Sequence, residues 1–70
     1  MTDTVRLEEE ILKSGLKKNW IAEKLGLTAH EFYQKRKNKN QFKAGEIKML
    51  CYLLKITSLE KVNHIFFMTM

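Results

Sequence analysis

Seventy residues, 44% of them apolar, make one small domain with a modest core and argue against general disorder. The absence of Pro, only three Gly and abundant Leu, Lys, Glu and Ile favour helices joined by short turns. The net charge of +5 is uneven: residues 1–12 set one Arg against four acids, while residues 13–43 set nine Lys or Arg against Glu23 and Glu31. Positive charge confined to the middle of so small a chain points to a polyanion-facing surface, although a solvated lysine surface would carry the same count.

The first helix is expected over Thr4–Ser14, capped by Asp3 or Thr4, with Leu7 and Ile11 on one face and Leu12 flanking them. Glu8, Glu9 and Glu10 read as a solvated run favourably placed in its first turns, and Gly15 ends it in the left-handed region. A second helix is expected from Lys18 to Leu25, with Ile21, Leu25 and Ala22 inward and Gly26 as its terminator. Leu27 drops into the core, and Thr28 with Glu31 forms a capping box for a third helix from Ala29 to Lys37. The polar stretch KNKNQF follows, with Phe42 as a loop anchor. The fourth helix is expected over Ala44–Leu54, with Ile47, Leu50, Cys51 and Leu54 inward. The fifth runs from Ser58 to about Phe66 with Leu59, Val62 and Phe66 as its stripe. The fold class expected is all-α, a five-helix domain spanning 1–70 with its core over about 7–67.

The opening of the third helix carries the discriminating pattern. At 100° per residue, Phe32 points to the core while His30, Tyr33, Gln34 and Lys37 fall on the opposite arc at i, i+3, i+4 and i+7. An imidazole, a phenol, an amide and an ammonium are suited to base edges and phosphates. Ala29, at the helix start, is small enough for close approach or for contact with a thymine methyl. A helix ending in Gly26, a short turn, and a helix opening at Thr28 form a helix-turn-helix arrangement, and small Ala22 lets the two helices cross closely.

The stretch GLKKNWIAEKLGLTAHEFYQK, the segment QFKAGEIKMLCYLL and the closing IFF together resemble the lambda-repressor-like (Cro and xenobiotic-response-element type) helix-turn-helix domains, in particular small phage-related repressors. The resemblance covers about Leu7 to Phe67. It implies a third helix in the major groove, phosphate contacts at the start of the second, and two copies on a near-palindromic site. Carried onto this chain, it implies base contacts from Ala29, His30, Tyr33 and Gln34. It implies phosphate contacts from Lys17, Lys18, Asn19, Thr28, Lys37, Asn38, Lys39 and Lys43, with backbone N–H groups of the second helix also favouring an anion. The chain departs from the family pattern in three places. Lys18 stands where Gln is frequent, Lys35-Arg36-Lys37 where an apolar residue is common, and Ala29 where a long amide often reads adenine. Arg36 would then bury only its stem.

Other readings carry less. His30, Cys51 and His64 lack paired metal-ligand spacing, so no metal or cofactor is expected, and Cys51 reads as a small core residue. No Gly-rich phosphate loop, nucleophile elbow or carboxylate pair in an apolar setting points to an enzyme. Trp20 reads as a cap over the gap between the first and fourth helices. Ile65, Phe66, Phe67 and Met68 exceed what one helix face can bury and read either as core closure with a frayed tail or, the reading preferred, as the centre of a homodimer interface. A lone cysteine, no basic-plus-apolar leader and a C-terminal HIFFMTM well short of the ~20 residues of a spanning helix favour a soluble, cytoplasmic protein with no membrane partner.

The function expected is a sequence-specific, double-stranded DNA-binding transcriptional regulator, a phage-type repressor acting by operator occupancy in a bacterial or phage-infected cell. About six to eight phosphate contacts would make binding fall roughly 10³-fold or more between 50 and 200 mM salt. The alternative is a protein-interaction module that keeps the fold and does not read DNA, with the apolar tail as its partner surface.

Overall fold

The computed structural model describes residues 1–67, which form five α-helices and no strands among them: α1 (Thr4–Ser14), α2 (Lys18–Lys24), α3 (Ala29–Arg36), α4 (Ala44–Leu53) and α5 (Leu59–Phe66). The chain is all-α, and none of its described helices is long and apolar enough to cross a membrane.

Local signals explain the helix ends. The Asp3 carboxylate accepts from the Arg6 N–H and caps α1, and Gly15 closes that helix at φ +72°. Gly26, at φ +74°, turns the chain after α2, and the Leu27 N–H reaches back to the Ala22 carbonyl at 2.9 Å. Thr28 Oγ1 accepts from the Glu31 N–H at 3.0 Å while Glu31 Oε1 accepts from the Thr28 N–H at 2.9 Å, a complete capping box. Lys55 takes the left-handed position after α4 at φ +58°, a place usually left to Gly.

Leu7, Ile11, Ile21, Ala22, Phe32, Leu50, Leu54, Ile56, Ile65 and Phe66 form one buried cluster. Burying each large side chain is worth about 1.5–3 kcal/mol. Phe42 anchors the loop after α3, as its position implied: its ring meets Phe32 and Phe66 edge-on, with centroids 6.3 and 5.8 Å away. Through these contacts α3 is held from behind by α1, α2 and the aromatic cluster.

Four packing expectations are corrected. Leu12 is 82% exposed, because a step of 100° from buried Ile11 carries it off the core face. Leu59 is exposed while Ile65 is buried, so the α5 stripe is shifted. The reason lies at the N-terminus: Thr2 is buried, and the Asp3 N–H donates to the Ile65 carbonyl at 2.6 Å, covering that end of α5 and leaving its start outside. Ile65 and Phe66, 1% and 3% exposed, are core residues and cannot centre a dimer surface. Phe67 is exposed, and Met68 lies outside the described residues. Trp20, expected as a cap over the gap between α1 and α4, is 41% exposed, with the Lys24 ammonium 5.3 Å from its ring centroid.

Candidate nucleic-acid interface

The outer face of α3 begins at the capping box. The Thr28 hydroxyl accepts from Glu31 and still has its proton to donate outward. Ala29 and His30 are exposed in the first turn, and Tyr33 is exposed one turn on, flanked by Arg36 and Lys37 at 5.7 and 6.0 Å from its ring centroid. Gln34 is half-buried. Its side-chain oxygen accepts from the Asn40 amide at 3.2 Å, and its backbone carbonyl accepts N–H bonds from Lys37, Lys39 and Asn40. The loop after α3 is thereby folded onto the helix, and Gln34 is presented in a fixed orientation beside Asn40, a residue the sequence did not single out.

Behind this face lies a charge network. Arg36 is 6% exposed, and its guanidinium Nη1 donates to Glu8 Oε1 at 2.6 Å. The same guanidinium stands 4.8 Å from the Phe32 ring centroid, while its Nε has no hydrogen-bond partner among the described residues. Arg36 therefore buries its whole head and not its stem alone. Glu8 Oε2 also meets Lys18 Nζ at 2.9 Å, so one carboxylate of α1 ties the start of α2 to the end of α3. Burial alone would raise the Glu8 pKa, but the hydrogen bonds and charges of Lys18 and Arg36 outweigh it and hold the carboxyl below its usual range.

Lys35 is likewise turned inward, its Nζ 2.6 Å from Glu46 Oε1, which also accepts from the Lys43 N–H. Burial would raise the Glu46 pKa; the bonds from Lys35 and Lys43 lower it. Glu8 and Glu10, expected as solvated charges in the first turns, instead sit beyond the first turn in ion pairs with Lys18, Arg36, Lys13 and Lys61, and Glu9 alone is exposed.

The phosphate-contact candidates divide accordingly. Lys17, Lys37, Lys39 and Lys43 are exposed and form no ion pair with the described residues, and Asn19 is exposed. Lys18 is half-exposed and shared with Glu8. The Asn38 side chain is already engaged: its Oδ1 accepts from the Thr2 N–H at 3.0 Å and its Nδ2 donates to the Thr2 carbonyl at 2.7 Å, with the backbone at φ +61°. It pins the N-terminus to the α3–α4 loop, a role no local pattern encodes.

No three His, Cys, Asp or Glu of the described residues converge to hold a metal ion. Cys51 is half-buried, and burial raises its thiol pKa, which favours the protonated form. Compared with family models, curated proteins and solved structures, the chain matches none of them.

Proposed function

We propose that this protein is a sequence-specific, double-stranded DNA-binding transcriptional regulator of the small phage-repressor type, with α2 and α3 as its helix-turn-helix and α3 as the recognition helix. One observation carries the reading. The front of α3 presents Ala29, His30 and Tyr33 outward with the half-buried Gln34 beside them, while Phe32, Lys35 and Arg36 fasten its back to the rest of the domain. A helix held this firmly can be set into a major groove without reordering, and its exposed groups can hydrogen-bond to base edges.

Four free lysines, Lys17, Lys37, Lys39 and Lys43, would grip phosphates around it, joined by Lys18 where phosphate displaces Glu8. Four or five such contacts are fewer than the charge count of the sequence implies. The expected loss of affinity between 50 and 200 mM salt therefore drops to roughly 10²- to 10³-fold. Repression would follow from occupying an operator and excluding polymerase, with no chemical step.

Selection of duplexes from a random pool at 150 mM salt, followed by sequencing, tests the reading. Enrichment of a defined motif supports it, and two half-sites about one helical turn apart would add a paired arrangement on DNA. A pool that stays random while the protein remains folded would refute it.

A further inference from the structure

The outer face of α1 carries apolar residues that none of the described elements covers. Val5 and Leu12 are 65% and 82% exposed, and with Leu16 they line a groove of about 580 Å³. Stepping 100° per residue, Glu8 and Glu9 fall on opposite sides of the Val5–Leu12 strip, each about 40° off it. Glu8 marks the side facing α2 and α3, because it binds Lys18 and Arg36. Lys18 and Lys37, which line the same groove, therefore border that side, and Glu9 borders the other. Glu9 and Lys37 are opposite in sign, and neither has an ion-pair partner among the described residues.

An apolar strip with an unpaired acid on one edge and an unpaired base on the other is complementary to itself under a two-fold rotation. We infer that this face is a homodimer surface. About a two-fold axis running along the strip, with the two α1 helices parallel, Val5 would meet Val5 and Leu12 would meet Leu12, and Glu9 of each copy would face Lys37 of its mate, an isologous contact. It takes the place of the C-terminal surface, whose central residues Ile65 and Phe66 lie in the core. A standard interface takes about 800 Å² from each partner, and one helix face gives less, so the dimer should be weak, dissociating on the order of 100 µM.

Charge exchange in DNA-free sedimentation tests the inference. Wild-type protein should pass from monomer to dimer between about 10 µM and 1 mM. Leu12→Asn should weaken the dimer on the order of a hundredfold, since the loss is felt twice. Glu9→Lys and Lys37→Glu should each weaken it on the order of tenfold by placing like charges opposite one another. An equimolar mixture of those two variants restores both attractive pairs and should dimerise at least as well as wild type. All three positions are exposed, so far-UV circular dichroism should be unchanged. A wild type that stays monomeric to 1 mM, or a mixture no better than its components, overturns the inference; in the first case the strip is left to a different occupant. Where the DNA reading also holds, a short duplex should dissolve this dimer by drawing Lys37 to phosphate. That corollary rests on the proposed function, and its failure would appear in the DNA titration alone.

Discussion

Lys35 and Arg36 turn inward from the end of α3 while Lys37 stays in solvent, although the three are adjacent and alike in charge. The difference arises from where acids on other helices stand. Glu46 of α4 lies 2.6 Å from Lys35, and Glu8 of α1 lies 2.6 Å from Arg36, which also follows Phe32 by one turn and shares its inward face. Lys37 has Tyr33 beside it and, among the described residues, no carboxylate paired with it. Two of the three charges therefore work on the fold, and one is left in solvent. A charge count along the chain measures supply, whereas the surface that a polyanion meets is what remains after internal pairing.

The most direct way to break this division is to strand a charge on its inward side. Glu8→Ala leaves the buried Arg36 guanidinium without its counter-ion and should destabilise the fold by about 3 kcal/mol, read from urea unfolding. In so small a domain that is a large share of the total. Arg36→Met, which removes the buried charge and keeps the bulk, should cost far less. A loss for Glu8→Ala no larger than that for Arg36→Met would mean that no penalty for a stranded charge is felt.

Acid should open the same links. The Glu8 and Glu46 carboxyls titrate below their unfolded values, so their contribution is complete above the ordinary glutamate range, about pH 4.3, and is lost as pH falls through their lower folded values. Glu31 adds to this trend, since the Thr28 backbone and side chain hold its carboxyl low. Stability should be flat from about pH 5 to 7 and decline below about 4.3. In Glu8→Gln that decline should be shallower. An unchanged acid limb in the variant would remove Glu8 from the account.

How much of the fold is legible in the sequence follows the same divide between local and remote causes. The five helices and their caps are legible because Asp3, Gly15, Thr28 and Ser58 act on backbone within a few residues of themselves. The ends differ from expectation by one residue at Leu25, Lys37, Leu54 and Ser58, each of which is a cap and not a helical residue. The outward residues of α3 are legible from periodicity. The Glu8–Arg36 tie spans 28 positions and the Thr2–Asn38 clamp spans 36, and no local pattern announces either. Leu12 departs from expectation because the 100° step from Ile11 carries it off the core face, whereas Ile65 is covered where the remote N-terminus, through Thr2 and Asp3, closes over that end of α5.

The outward side is sharpened by DNA binding. Gln34→Ala should cost about 1–3 kcal/mol on the selected site and little on random duplex, because an amide that reads a base edge acts on one sequence. The half-buried position and the bond from Asn40 make it a pre-set group, so Asn40→Ala should loosen the same discrimination by a smaller amount. Equal losses on cognate and random DNA for Gln34→Ala would remove its base-reading role.

Lys39→Ala should give the smallest effect and the clearest contrast with Glu8→Ala. The side chain is exposed and forms no ion pair with the described residues, and its backbone N–H donates to the Gln34 carbonyl at 2.9 Å. The substitution keeps that bond, so unfolding should be unchanged within about 0.5 kcal/mol. Removing an ammonium that neutralises a phosphate weakens binding to every sequence alike and flattens the salt dependence of log affinity by about one unit. A reduced affinity with an unchanged salt slope would mean that Lys39 touches no phosphate, and the grip on the backbone would then fall to Lys17, Lys37 and Lys43.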